Sequence, residues 1–271
     1  MLLPLLALAA LPIAARAFGY LTDLKLLELS NLNHPALKDL IVQAPGTYHH
    51  SVIMGSLVEG AAEAIGCNGL LARVCAYYHD IGKTRNPLYF AENQRGPSRH
   101  DELAPSMSAL IVKRHVADGL ELARRWRLPP EVTDAIREHH GTQLVSFYWE
   151  AARGEGEGAL EELFRYPGPK PRSRETALVM IADACEGAAR ALTDPSPERL
   201  RSTVKNTIDE IVAEGQLDDC ELTLKDLSAV AAAMGSALEA VYPGRGDPAP
   251  VEGGARAAPA PPLQVVPKGG P

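Results

Sequence analysis

The chain has 271 residues, of which 46% are hydrophobic and only 5% aromatic, and its formal net charge is −7. That length allows one large domain or two small ones, and the negative balance excludes a global basic field for duplex nucleic acid, so a polyanionic ligand would need a local cluster of cations or metals. Alanine and leucine dominate and β-branched residues are scarce, which predicts an all-α protein.

Residues 1–15 read MLLPLLALAALPIAA and are followed by Arg16. The run is short of the roughly 20 residues needed to span a bilayer. Pro4 and Pro12 interrupt it, and no basic residue precedes it as in a secretory signal. Residues 1–19 are therefore expected to be a membrane-proximal segment, either an anchor or the end of a transmembrane helix. Arg16 and Lys25 would then lie on the cytoplasmic side. A helix packed on the domain is the alternative. Cys67, Cys75, Cys185 and Cys220 show no CxxC spacing and read as reduced thiols within apolar helices.

Residues 21–32 form an amphipathic stretch. His34 is expected to be a turn or capping residue, and Pro35 opens a helix to about residue 41. Residues 44–47 read as a turn, followed by a helix over 48–65 that turns Val52, Ile53, Leu57, Val58 and Ala61 inward. Only one of His49 and His50 can share the face of Ile53 and Leu57, and that is His50. Residues 68–82 predict a helix, 85–105 a long loop, 105–117 and 119–126 two helical pieces, and 130–140 a short helix stopped by Gly141. Helix continues at 146–150, a flexible surface loop is expected at 154–158, and 166–171 is a stiff, Pro-rich connector. Three helices follow at 175–192, 197–214 and 224–241, giving one domain over 20–242. Residues 243–271 are rich in Pro, Gly and Ala and read as a disordered tail.

The chain is organised around Tyr77-Tyr78-His79-Asp80-Ile81-Gly82-Lys83. An imidazole and a carboxylate side by side can both reach one metal, and the two carboxylate oxygens can bridge two. An isolated His-Asp pair has an equally ordinary structural explanation. So has His115 as a surface residue at a helix end, and so have His139 and His140 as capping or dipole residues. Asp183 lies in the apolar run from Ala177 to Ala184, where an unpartnered carboxylate is costly. It must pair with a cation, donate as a neutral acid or ligate a metal. Together, His50, His79, Asp80, His115, His139, His140 and Asp183 exceed the donor needs of one metal. Two divalent ions sharing Asp80 would use them all. The absence of cysteine from this set argues against structural zinc, and a mixed imidazole and carboxylate set suits iron or manganese.

The order H…HD…H…HH…D resembles the ligand pattern of HD-domain phosphohydrolases. Ala44-Pro45-Gly46-Thr47-Tyr48-His49-His50-Ser51, His79-Asp80-Ile81-Gly82-Lys83, Phe90-Ala91-Glu92-Asn93-Gln94, Glu138-His139-His140-Gly141-Thr142 and Tyr166-Pro167-Gly168-Pro169-Lys170-Pro171 resemble, more closely, the cytoplasmic domain of the seven-transmembrane HD family of cyclic di-AMP phosphodiesterases. The resemblance implies an HD-domain helical bundle with a buried two-metal site, often of iron or manganese. It implies hydrolysis of cyclic di-AMP to linear pApA by a metal-bridging hydroxide. Carried over by position, His50, His79, Asp80 and Asp183 hold one metal, and Asp80, His115, His139 and His140 hold the other. Asp80 is then the shared catalytic ligand. Lys83 either stabilises charge on the reacting phosphate or is an exposed lysine at a helix end. Arg85, Arg99 and Arg137 are candidate phosphate contacts.

Ser98-Arg99 stands where the family usually has Asn-Pro. The family's extracellular domain and most of its membrane helices have no counterpart in this sequence, and residues 1–18 resemble the end of the last membrane helix, so the expectation is a truncated or fragmentary gene product. The implied location is the cytoplasmic face of the cell membrane, with a homodimer among the expected assemblies. The alternatives are an HD nucleotidase acting on other nucleotides and a non-catalytic nucleotide-binding signalling module.

Overall fold

The computed structural model describes residues 20–94, 96–154 and 160–243. The expected membrane-proximal segment 1–19, most of the expected loop 154–158 and the tail from 244 lie outside the described residues. Among the described residues no helix is long and apolar enough to cross a membrane.

The described chain is helical throughout, as composition predicts. The helices are α1 (Asp23–Leu29), α2 (Pro35–Gln43), α3 (Pro45–Ala64), α4 (Gly69–Tyr78), α5 (Pro105–Trp126), α6 (Pro130–Glu138), α7 (Ser146–Gly154), α8 (Arg174–Arg190), α9 (Pro197–Ala213) and α10 (Leu224–Val241). Several start where a proline occupies the first turn and needs no intrahelical N–H bond. Ser173 with Thr176 and Thr223 with Asp226 form reciprocal capping boxes at α8 and α10.

The long helix α3 is central. It packs on α2, α4, α8 and α10, and buries Met54, Leu57, Val58, Ala61 and Ala62 at helical spacing. Fully burying one such large apolar side chain contributes roughly 1.5–3 kcal/mol, more than a typical cap, so packing rather than local propensity holds this layer. The helix α5 packs instead on the 3-10 turn Ile81–Arg85, on α6 and on α7.

Three boundaries differ from the sequence reading. Residues 45–47, expected as a turn, are the first turn of α3. The break falls at Ala44, and the side-chain oxygen of Asn93 accepts from the N–H groups of Gly46 at 2.8 Å and Thr47 at 3.2 Å. A cap supplied from 46 residues away leaves no local signature. Asn93→Ala is expected to cost about 1 kcal/mol, read as a lowered midpoint in urea.

The two pieces expected at 105–117 and 119–126 are one helix of 22 residues. Gly119 does not break it. A Cβ there would lie 2.7 Å from Ile136 Cγ2, so this glycine allows α6 to approach α5 closely. The helix expected over 68–82 ends at Tyr78. Asp80 (φ −107°, ψ 15°) leads into the 3-10 turn, and two further 3-10 turns (Pro87–Tyr89 and Ala91–Asn93) lie in the expected loop 85–105.

Candidate metal centre

The end of α4 explains how two consecutive residues serve one cavity. Neighbours in a continuous α-helix diverge by about 100°. The chain changes from α to 3-10 geometry at Asp80, and both His79 and Asp80 are fully buried at one place. His50 joins them from α3, His115 from α5, and Asp183 from α8. His139 and His140 follow the C-terminus of α6, where Gly141 (φ 48°) stops the helix. His49, as expected from the helix face, is exposed.

The imidazoles are oriented by their outer nitrogens. Nδ1–H of His79 donates to Ala76 O at 2.7 Å, that of His115 to Val112 O at 2.6 Å, and that of His139 to Ile136 O at 3.0 Å. A carbonyl can only accept, so each Nε2 is left as a lone pair aimed inward. His115 Nε2 and His139 Nε2 lie 3.1 Å apart, a spacing that two lone pairs do not favour unless a cation sits against both. His79 Nε2 and Asp80 Oδ1 are buried without a hydrogen bond, and Asp80 Oδ2 has only the Lys83 ammonium as an ion-pair partner. Buried polar atoms are nearly always satisfied, so these atoms are set up for a ligand other than protein.

Asp80 faces two groups at once. Its Oδ1 is 3.3 Å from His115 Nε2 and 3.7 Å from His139 Nε2, while its Oδ2 is 3.2 Å from His79 Nε2 and 4.0 Å from His50 Nε2. Asp183 Oδ1 lies 3.1 Å from His50 Nε2, and its Oδ2 lies 3.8 Å from His140 Nδ1. Two donor groups result, His50, His79, Asp80 and Asp183 in one and His115, His139 and His140 in the other. Each could hold a metal ion, and the chemistry of imidazole with carboxylate fits a first-row divalent ion.

The electrostatics agree with this donor set. Burial opposes ionisation of Asp80, but Lys83, His79 and His115 outweigh it and hold the carboxyl well below its usual range. Burial likewise opposes ionisation of Asp183, and the hydrogen bond from His50 with the nearby His140 overcomes it. Asp183 is therefore a carboxylate, which removes the neutral-acid reading left open by the sequence. Burial and the crowding of neighbouring rings push His139 far down, and burial pushes His140 down to about 3. Both are neutral rings with free lone pairs. His50 is raised to about 9, because Asp183 and Glu186 outweigh its burial; a divalent cation at Nε2 would compete with that proton.

Lys83 is not the exposed helix-end lysine that the sequence left as one alternative. Its Nζ lies 2.7 Å from Asp80 Oδ2 and 2.9 Å from Glu92 Oε1, with only 13% of the side chain exposed. Burial works against its charge, but Asp80 and Glu92 prevail and keep it an ammonium. Glu92 also accepts from Thr47 Oγ1 at 3.0 Å, so the loop 87–94 is tied to the start of α3 and to the site together. Arg85 pairs at the surface with Glu121 at 3.0 Å, and Arg137 with Asp134 at 2.6 Å. Among the described residues, no ion pair joins either arginine to the seven clustered side chains.

Two residues of the site escape the sequence reading. Glu186, three positions after Asp183 on α8 and 1% exposed, accepts His50 Nδ1–H at 2.8 Å. The i, i+3 spacing from Asp183 is the signal that could have found it. Tyr166 stacks on His140, with ring centroids 4.2 Å apart and planes 24° from parallel. It also lines a cleft of about 570 Å³ together with Lys113, Arg114, Thr142 and Arg165.

An all-α bundle that gathers five histidines and two aspartates, with Asp80 facing both donor groups, defines a helical protein with a candidate His/Asp metal site. The HD domain family model matches residues 47–188, and the chain belongs to that family. It is 44% identical over 241 residues to the cyclic-di-AMP phosphodiesterase PgpH of Bacillus subtilis, covering 89% of this chain and 34% of the relative. Identity to the protein of that name from Listeria monocytogenes is 37% over 239 residues, covering 88% of this chain and 33% of the relative. The chain thus spans about a third of the length of the curated relatives it matches. The solved HD domain of L. monocytogenes PgpH in complex with cyclic-di-AMP superposes with a TM-score of 0.75 at 37% identity, covering 78% of this chain and 99% of that one.

Proposed function

We propose that the chain is a metal-dependent phosphodiesterase that opens cyclic di-AMP to linear pApA. In this reading two divalent ions, iron or manganese, are held by His50, His79, Asp80 and Asp183 on one side and by Asp80, His115, His139 and His140 on the other. The observation that carries it is Asp80, whose two oxygens face different histidine pairs and whose Oδ1, like the inward Nε2 of His79, is buried without a hydrogen bond. The relationship to PgpH domains, one of them solved with cyclic-di-AMP, supports the choice of substrate.

When bound, the ion pair would supply an activated water and neutralise charge on the phosphate. The chain's own residues supply the rest. Lys83, held by Asp80 and Glu92, keeps the Asp80 carboxylate ionised and fixes its direction, a positioning role rather than the direct phosphate contact suggested by spacing alone. Arg85 and Arg137 are engaged at the surface with Glu121 and Asp134, and Arg114 and Arg165, which line the cleft beside Tyr166, are likewise paired with Asp118 and Glu161, so a phosphate contact by any of the four would first have to displace a carboxylate. A cleft of about 570 Å³ lies within the range of small-molecule sites. The apolar run of residues 1–15 supports attachment at the cytoplasmic face of a membrane.

Incubating anaerobically purified protein, loaded with Mn²⁺ or Fe²⁺, with cyclic di-AMP, cyclic di-GMP and a deoxynucleotide tests the reading. The expected product is pApA from cyclic di-AMP. No linear dinucleotide from any cyclic substrate would refute it, and phosphate release from the deoxynucleotide alone would replace it with a nucleotidase. Stripping the metal leaves the inward lone pairs unpaired. At a metal concentration about a hundred times Kd, removal is expected to cost about 2.7 kcal/mol for each ion. Differential scanning calorimetry should register this as a fall in Tm of roughly 5–11 °C for each ion lost.

A further inference from the structure

The four histidines with an oriented outer nitrogen are not held alike. His79, His115 and His139 donate to carbonyls of their own helical segments, at Ala76, Val112 and Ile136. Those bonds are local and follow the helix wherever it goes. His50 instead donates to a side chain on another helix, Glu186 Oε2 on α8, at 2.8 Å. The other oxygen of Glu186 accepts the Tyr242 hydroxyl at 2.6 Å, and Arg190 Nη1 lies 3.2 Å from Oε2. Tyr242 is the residue that ends α10, and α10 packs along α3, the helix that carries His50. Both oxygens of a buried carboxylate are thus committed, one to a candidate metal ligand and one to the end of the C-terminal helix.

We propose that Glu186 and Tyr242 are positioning residues for His50, and that the seating of α10 thereby sets the metal affinity of the His50, His79, Asp80 and Asp183 group without altering the His115, His139 and His140 group. This inference rests on the two-metal reading above. A carboxylate on the outer nitrogen fixes the ring's orientation and raises the basicity of the inner one, and losing such a partner typically costs about 10–100-fold in metal affinity. Tyr242 acts one step further out. Its hydroxyl holds Glu186 Oε1, so that Oε2 stays directed at His50. The C-terminal helix, remote from the clustered ligands in sequence, becomes part of how one of the two metal positions is built.

Titration of the metal-free full chain with Mn²⁺ tests this, using calorimetry and the electron paramagnetic resonance signal of free Mn²⁺. Wild type is expected to bind two ions. Glu186→Gln is expected to weaken one of them about 10–100-fold and leave the other unchanged. Tyr242→Phe, which keeps the ring and removes only the hydroxyl, is expected to weaken the same ion by a smaller factor. The Tm of the metal-free Tyr242→Phe protein should stay near wild type, which separates positioning from a general loss of packing. Two-ion binding in wild type with unchanged affinities in both variants would overturn the relay and leave the two-metal reading standing. Equal weakening of both ions, or weakening that tracks a lowered metal-free Tm, would overturn it as well. A wild-type chain that takes up no Mn²⁺ would overturn both.

Discussion

Asp80→Ala is expected to abolish turnover of cyclic di-AMP, by about 10³-fold or more, and to release bound metal from both groups rather than one. The magnitude follows from geometry. Each Asp80 oxygen faces a different histidine pair, so one truncation removes a donor from both. A thousandfold loss corresponds to about 4 kcal/mol of lost transition-state stabilisation, a modest share of what a metal pair provides. Metal analysis of the variant next to wild type, with turnover measured on the same samples, gives the answer. A variant that keeps two ions, or keeps activity, would remove Asp80 from its bridging place.

The same substitution has a stability effect of separate origin. Lys83 loses the carboxylate 2.7 Å away and retains only Glu92, so a buried ammonium is left half compensated. Asp80→Asn, which keeps an acceptor oxygen beside Lys83 and leaves the Lys83–Glu92 pair intact, should recover part of the lost stability and little of the activity. That pattern distinguishes a missing ligand from a damaged fold.

Gly82→Ala is expected to be strongly destabilising for the addition of a single methyl group. A Cβ at residue 82 would stand 1.9 Å from the carbonyl oxygen of His115 and 2.5 Å from the amide nitrogen of Gly119. Both are backbone atoms of α5, so no side-chain rotation relieves the clash. The 3-10 turn and α5 must separate, and with them Asp80 and His115. Overpacking of this kind costs about 3 kcal/mol or more. For a domain of this size that lowers Tm by roughly 6–12 °C, and metal affinity should fall with it. Gly60→Ala is the control. A Cβ there meets nothing within 4 Å, so its stability should be unchanged or slightly raised. Equal Tm values for the two variants would show that the close approach at Gly82 is not needed.

The gain from reading these residues in sequence was greatest where the physics is local. Helical spacing separated His50 from His49, because a helix gives each residue a fixed direction, and the structure buries the first and exposes the second. The apolar surroundings of Asp183 announced a carboxylate in need of a partner, which His50 supplies at 3.1 Å. The all-α class followed from composition, and the HD family was legible in spaced motifs that the family match over 47–188 bears out.

What remained hidden depends on partners distant in sequence. Residues 105–117 and 119–126 read as two pieces, and their union in one helix is seen only with α6 packed against Gly119. Asn93 caps α3 across 46 residues, so a first helical turn read as a loop. Lys83 looked free to meet a phosphate, but its neighbours are Asp80 and Glu92, and only the folded loop brings Glu92 back to it. Glu186 and Tyr242 carried no motif at all. Residue type and helical period determine which side chains this protein can offer to a metal and on which faces they stand. Which nitrogen points inward, which carboxylate oxygen faces which ring, and which cation neutralises Asp80 were decided only by the packing of α3, α5, α6 and α8 around the turn at Asp80, because hydrogen bonds and ion pairs are set by distances that local sequence does not encode.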